Sequence, residues 1–134
     1  MLQSTEKVDI RSLNPLCLAL VGDSVLELLV RQRLVEYTNL SAGKINNIKV
    51  KYVSARAQFR EAMLLELYLT PQELDCFKRG RNASKATVAK HATMAEYRAS
   101  TGLECLLGWL QLKGETARIE ELFEIIWTQF DPNV

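Results

Sequence analysis

Two carboxylates lie within stretches of sequence that are otherwise apolar. Asp23 follows the apolar run Leu16–Val21 and Gly22, and Glu104 stands between Leu103 and Cys105. A buried carboxylate is destabilising by several kcal/mol unless a cation balances it. Oxygen ligands with room for water suit Mg²⁺, with Mn²⁺ as a substitute, better than zinc. If two helices contribute one acid each, the pattern predicts a divalent-cation site that supports phosphate chemistry.

Small residues next to both acids favour close packing of the helices that carry them. Gly22 directly precedes Asp23, and Gly102 and Gly108 flank Glu104. A glycine inside a helical pattern lowers helix propensity by about 1 kcal/mol relative to alanine, so it often marks a close approach of two backbones. We therefore expect the helix of Asp23 to lie against the helix of Glu104.

Two acids of the predicted first helix, Glu27 and Asp23, also have simpler interpretations, which the sequence leaves open. Glu27 stands four residues before Arg31, a spacing at which an ordinary surface ion pair forms. Asp23 has no cation three or four residues away, so its simpler interpretation is exposure to solvent.

Basic side chains are concentrated in the middle of the chain, although the formal net charge is only +1. Residues 1–43 carry a net charge of −1, residues 44–90 carry +6, and residues 91–134 carry −4. The stretch 76–90 has five cations and no acid. A solvated face is one explanation. Clustered lysines and arginines also bind phosphates through counterion release, and this favours contact with a nucleic acid.

The elements that must position these residues are predicted to be helices, because apolar residues recur with a helical period and no segment alternates like a strand. Asn14 and Pro15 predict the start of the first helix, and Thr70, Pro71 and Glu73 form a capping-box pattern. The predicted helices are Pro15–Tyr37, Ala42–Leu67, a short one after Thr70 that ends near Gly80, Thr93–Leu112 and Glu115–Phe130. We expect 79–90 to be a loop, with Gly80 and Asn82 as helix breakers.

The composition excludes several classes of protein. The chain has 134 residues, of which 48% are hydrophobic and 25% charged, and this is typical of one globular domain, 1–134, rather than a disordered chain. The longest apolar run has six residues against the ~20 of a membrane span, and no secretory signal is visible at the N-terminus, so we expect a cytoplasmic protein. Cys17 and Cys105 are predicted to be core residues. Cysteine catalysis is not favoured, because His91 is the only histidine.

Three blocks of sequence carry a family resemblance. Leu18–Glu27, which reads LALVGDSVLE, resembles the signature helix of the ribonuclease III endonuclease domain. Lys78–Ala83 and Tyr97–Gly108 resemble two hallmarks of its short branch, Mini-ribonuclease III, in the same order and spacing. The resemblance covers about residues 12–128. It implies an all-α homodimer that hydrolyses double-stranded RNA with Mg²⁺ and leaves 5′-phosphate and 3′-hydroxyl ends.

The resemblance also implies roles for individual residues. Asp23 and Glu104 match the catalytic, metal-binding acids, whereas Ala19 and Thr101 stand where full-length ribonuclease III has two further acids. Glu27 is a candidate for a supporting residue that contacts the metal ligands and not the metal itself. The residues expected to bind RNA are Lys78, Arg79, Arg81, Asn82 and Lys85.

In bacteria the Mini branch matures the 5′ and 3′ ends of the 23S ribosomal RNA precursor, and the resemblance implies this role here. We expect no separate double-stranded-RNA-binding domain, so the catalytic domain must bind RNA by itself. The alternatives are a non-catalytic helical RNA-binding module with vestigial acids and a purely structural helical dimer.

Overall fold

The computed structural model describes residues 6–84 and 92–134, and helices joined by short connections make up this part of the chain. No strand occurs within these two ranges, which confirms the all-α prediction. The helices are α1 (Pro15–Tyr37), α2 (Ala42–Val53), α3 (Ala55–Leu65), α4 (Pro71–Ala83), α5 (Met94–Leu112) and α6 (Thr116–Gln129), with 3₁₀ turns at Ile10–Ser12 and Glu66–Tyr68.

Local capping residues fix the starts of the helices that carry the two acids. The Asn14 side chain accepts a hydrogen bond from the Leu16 N–H at 2.8 Å, and Pro15 is the first residue of α1. Thr93 and Glu96 form a reciprocal capping box at the start of α5. The predicted bounds of α1 are confirmed, and α5 begins one residue after the predicted start.

The single helix predicted over 42–67 is wrong, because Ser54 divides it. The backbone of Ser54 is extended, with ψ 157°, and its hydroxyl accepts a hydrogen bond from the Ala57 N–H at 3.2 Å. Ser54 therefore ends α2 and caps α3, which gives α3 its own direction. A 3₁₀ turn, Glu66–Tyr68, follows α3.

The predicted loop over 79–90 is wrong for its first part. Helix α4 continues through Gly80 to Ala83 and ends at Ser84, so Arg79, Arg81 and Asn82 are helical. Gly80 is buried against α5, where an added Cβ would lie 2.4 Å from the Cβ of Cys105, so it permits close packing instead of breaking the helix. Residues 85–90 of the predicted loop, which include Lys85 and Lys90, lie outside the described residues, and so does His91.

Helix α5 is the centre of the molecule, with α1, α3 and α4 packed around it. Ten of its residues are buried, and its apolar side chains meet those of α1 and α6 in one core. Fully buried side chains of this core include Leu26, Val30, Leu65, Leu106, Leu122 and Ile126. The burial of Ile119, Leu122, Phe123 and Ile126 confirms the predicted apolar stripe of the last helix.

The cysteines divide between the core and the surface. Cys105 is buried as predicted, and its Sγ lies 3.7 Å from that of Cys76. The prediction for Cys17 is wrong, because its side chain is on the exposed side of α1. Among the helices described, none has the length and apolar character to span a membrane.

Candidate metal-binding active site

Two glycines bring the backbones of α1 and α5 into direct contact. A Cβ added to Gly22 would lie 1.6 Å from the carbonyl oxygen of Glu104, and one added to Gly108 would lie 1.8 Å from that of Leu18. A side chain at either position would require the two helices to separate. The crossing therefore holds Asp23, the residue after Gly22, beside Glu104, as the sequence predicted.

The carboxyl group of Glu104 is half-buried and interacts with Asp23. Burial raises the pKa of Glu104 to about 8, and the neighbouring Asp23 carboxylate adds to this increase. A hydrogen bond from the Gln58 side chain acts in the opposite direction, with 3.2 Å between Gln58 Nε2 and Glu104 Oε2. Asp23 is exposed, so the pair has a buried end and an end that solvent reaches.

The two carboxylates fit a divalent cation. Within 6–84 and 92–134 neither Asp23 nor Glu104 forms an ion pair, and the raised pKa of Glu104 means that a proton relieves their repulsion when no cation is bound. Mg²⁺ is commonly bound by one or two carboxylates and keeps several of its waters. The same part of the chain contains no cluster of three or more acidic, histidine or cysteine side chains that could hold a metal. The donor set is therefore two carboxylates, with the remaining positions left to water and substrate.

Glu27 lies one helical turn beyond Asp23 and is held by two cations. Its carboxylate accepts a hydrogen bond from Arg31 Nε at 2.8 Å and lies 3.4 Å from Lys49 Nζ. The simpler interpretation of an i,i+4 pair is thus confirmed, and Lys49 adds a link from α1 to α2. A supporting role of Glu27 toward the metal ligands stays a prediction.

The predicted RNA-binding residues within the described part of the chain lie on the last turns of α4. Lys78, Arg79 and Asn82 are exposed, and Arg81 is half-buried with its guanidinium 5.8 Å from the centre of the Phe77 ring. A helix fixes the spacing of these side chains, whereas a loop would leave it variable. The fifth residue, Lys85, lies outside the described residues.

Comparison with known proteins identifies the family. The model of the Ribonuclease III domain matches residues 16–115, which include Asp23 and Glu104. The chain belongs to the ribonuclease III family. The Mini-ribonuclease 3 of Enterococcus faecalis is 41% identical over 116 residues, which are 85% of this chain and 88% of that protein. The Mini-ribonuclease 3 of Clostridium tetani is 35% identical over 121 residues, which are 90% and 80% of the two chains.

A solved structure has the same fold. The crystal structure of a Fusobacterium nucleatum protein superposes with a TM-score of 0.81 at 25% identity, and the match covers 90% of this chain and 96% of the other. Ribonuclease III proteins act on double-stranded RNA, and this member of the Mini-ribonuclease 3 branch is an endoribonuclease.

Ala19 and Thr101, which the sequence resemblance aligns with two further acids of full-length ribonuclease III, both complete the packing here. Ala19 is buried on α1. Thr101 is buried on α5, where its hydroxyl lies 3.1 Å from the carbonyl oxygen of Tyr97 and 3.3 Å from Ser84 Oγ. Neither position can supply a third carboxylate to the site.

Sequence reasoning missed two polar residues of α3 that are buried in this ribonuclease. Gln58 is 2% exposed and contacts Glu104 directly, and Glu61 is fully buried. The stretch ARAQFREA around them contains enough charged residues to be typical of a surface helix. Since their burial follows from how α3 packs on α5, no local signal in the sequence reveals it.

Proposed function

We propose that this protein is a Mg²⁺-dependent endoribonuclease that hydrolyses double-stranded RNA to 5′-phosphate and 3′-hydroxyl ends, with Asp23 and Glu104 as its catalytic, metal-binding residues. The observation that carries this proposal is the pairing of Asp23 with Glu104 at the α1–α5 crossing. Two neighbouring acids without a balancing side chain share a proton when the site is empty, and a divalent cation can take the place of that proton. When bound, Mg²⁺, or Mn²⁺ in its place, polarises a phosphate oxygen and lowers the pKa of a coordinated water.

The protein's own residues orient this chemistry from two sides. Glu104 enters the site from the buried side, with its Oε2 fixed by the hydrogen bond from Gln58. Asp23 enters from the exposed side, where a duplex has access. The cations at the end of α4 hold phosphates by charge, and Asn82 offers a side-chain amide to a sugar hydroxyl. Such contacts recognise the shape of an RNA duplex rather than its sequence.

We also propose that the active form is a homodimer that pairs through α1. Leu20, Leu28 and Val35 are 73%, 57% and 61% exposed, and they lie on one side of this helix. A groove between α1 and α6, lined by Val25, Ile119 and neighbouring residues, continues the apolar surface. Exposed apolar patches of this kind mark interaction surfaces. Because Asp23 lies beside this stripe, a two-fold contact brings two sites to one duplex.

As its biological substrate we propose the precursor of 23S ribosomal RNA, with the enzyme maturing both the 5′ and 3′ ends in the cytoplasm. The support is the membership in the Mini-ribonuclease 3 branch, and we propose that the catalytic domain, 1–134, contacts this RNA directly.

The decisive experiment compares Asp23→Asn with the parent on a duplex transcript that contains the 23S precursor ends. We expect Asp23→Asn to abolish cleavage while RNA binding is retained, because the amide keeps the shape of the carboxylate but not its charge. The control is Asp131→Asn, the same change at an exposed acid near the C-terminus, which should cleave normally.

The products are sequenced at both ends, with Mg²⁺ and with excess chelator. Mature 23S ends that appear only with Mg²⁺ and with an intact Asp23 support the proposal. Full activity of Asp23→Asn, or undiminished turnover in chelator, contradicts it.

A further inference from the structure

Gln58 connects α3 to the active site with both hydrogens of its amide. Its Nε2 donates to Glu104 Oε2 at 3.2 Å and to the carbonyl oxygen of Val53 at 3.0 Å, and the side chain is only 2% exposed. If the amide turned over, its oxygen would face two acceptors and both hydrogen bonds would be lost. The contact with Val53 therefore helps to keep Nε2 directed at Glu104.

Three buried acceptor atoms of α3 have no donor in the described part of the chain. They are Gln58 Oε1 and the two carboxyl oxygens of Glu61, a side chain that is 0% exposed. Glu61 follows Gln58 by three residues on α3, a spacing at which helical side chains are neighbours. Buried polar atoms are nearly always hydrogen-bonded, so the arrangement lacks a donor hydrogen among these three acceptors.

A proton on Glu61 supplies that donor. Burial raises the pKa of Glu61 to about 9, and the nearby positive charge of Arg60 opposes this only in part. The carboxyl group is therefore neutral at physiological pH and carries an O–H. Gln58 Oε1 is an acceptor without a donor, and it belongs to the same face of α3 as Glu61. It is therefore the acceptor for this O–H.

We propose that Gln58 is a positioning residue for Glu104 and that Glu61 holds the Gln58 amide in place by donating a hydrogen bond to its Oε1. This inference rests on the proposed function of Glu104 as a metal ligand. Gln58 occupies one hydrogen-bonding direction of Glu104 Oε2 and leaves the other carboxylate directions to a cation beside Asp23. A ligand fixed in advance loses less conformational freedom when the metal binds, and such supporting contacts typically change metal affinity by 10–100-fold.

The test measures Mn²⁺ binding to the metal-free protein without RNA, from the electron paramagnetic resonance signal of free Mn²⁺. We expect Gln58→Leu to weaken Mn²⁺ binding by roughly 10–100-fold. Glu61→Leu, which removes only the donor, should weaken it by about tenfold, at the low end of this range. Glu61→Gln should bind within about twofold of the parent, because its amide supplies an N–H in place of the O–H.

Thermal unfolding in chelator separates positioning from general damage to the fold. Leucine at position 61 removes the cost of burying a carboxyl group but leaves Gln58 Oε1 without its donor, so the two effects oppose each other and the melting temperature should stay near that of the parent. A Glu61→Leu variant that is as stable as the parent and binds Mn²⁺ more weakly therefore supports positioning. Equal Mn²⁺ affinities of Glu61→Leu and Glu61→Gln overturn the role of Glu61. If Gln58→Leu does not fold, the Glu61 pair alone decides the proposal.

Asp23→Asn distinguishes failure of this inference from failure of the proposed function. If Asp23→Asn binds Mn²⁺ as the parent does, the metal site itself is wrong. If Asp23→Asn loses Mn²⁺ while Gln58→Leu retains parental affinity, the metal site stands and Gln58 has no positioning role.

Discussion

Glu104 and Glu61 are both acids in the interior, but they differ in what surrounds them. Glu104 receives a hydrogen bond from Gln58 and lies beside Asp23, whereas no donor within 6–84 and 92–134 reaches the carboxyl oxygens of Glu61. Burial raises the pKa of both carboxyl groups. Glu104 can exchange its proton for a cation that it shares with Asp23, whereas Glu61 keeps its proton.

The neutral Glu61 makes folding stability depend on pH. Its pKa of about 9 in the folded protein lies above the ordinary value of 4.5, so the folded protein keeps a proton that the unfolded chain has lost. The stabilisation from this proton is fully present below pH 4.5 and is lost as the pH rises through 9, at up to about 1.4 kcal/mol per pH unit. Glu61→Gln stays neutral, so it should unfold at higher urea than the parent at pH 8.5 but not at pH 5.

This prediction is checked by urea denaturation in chelator across that pH range. The matched control is Glu66→Gln, the same change at an exposed acid just after α3. If the urea midpoints of Glu61→Gln and the parent change with pH in parallel, Glu61 is ionised in the folded protein.

The sequence indicated Asp23 and Glu104 as candidate site residues, but it did not indicate the burial of Gln58 and Glu61. The reason is physical. An acid in an apolar helix stands out from its local neighbours, although only Glu104 is partly buried and Asp23 is exposed. Gln58 and Glu61 have Arg56 and Arg60 as neighbours, and their burial arises only when α3 packs against α5. Long-range packing leaves no trace in a stretch whose composition is typical of a surface helix.

At the scale of elements, the glycines show why some bounds were predicted and others were not. Gly114 has φ +75° and forms the turn after α5, as expected of a helix breaker. Gly80 lies inside α4 and is needed for contact with Cys105. Both residues are glycines, and what distinguishes Gly80 from Gly114 is its contact with the neighbouring helix α5. The break at Ser54 was missed because the apolar period continues through it.

The closeness of α1 and α5 depends on the missing side chain of Gly108. Gly108→Ala places a Cβ against the backbone of Leu18, which cannot move aside as a flexible side chain can. We expect a loss of about 1–3 kcal/mol in the free energy of unfolding and weaker cleavage, because the helices carrying Asp23 and Glu104 must separate.

Urea denaturation checks the stability, with Gly43→Ala as the control. Gly43 is in the first turn of α2 with no atom within 4 Å of the added Cβ, so alanine there should stabilise by about 0.4–1 kcal/mol. Two alanine variants of equal stability would contradict the close-contact interpretation.

At the scale of the whole molecule, the uneven charge gives a near-neutral protein one basic region. If the end of α4 contacts phosphates, Arg79→Ala combined with Arg81→Ala should weaken duplex binding. It should also reduce the slope of log affinity against log salt by about 1 per lost contact. The measurement uses an Asp23→Asn background, so that the RNA stays intact during titration.

Lys113→Ala is the control for that titration, since it removes one exposed cation at the end of α5, where Lys113 lies over the Trp109 ring. Its salt slope should match that of the background protein. An unchanged slope for the double arginine variant removes α4 from the RNA-binding surface.

The apolar stripe of α1 makes a prediction about assembly. Leu28 is 57% exposed and contributes little to the core of a single chain, so Leu28→Asp should fold normally but place a charge in the proposed dimer contact. Sedimentation should show a parent of twice the 15.2 kDa chain mass and a variant of the single mass.

The matched control is Leu67→Asp, since Leu67 is 91% exposed and lies in the turn after α3. A monomeric parent, or a dimer that survives Leu28→Asp, would mean that α1 is not the pairing surface. If the dimer holds one duplex across two sites, Leu28→Asp should cleave more weakly than the parent at the same protein concentration.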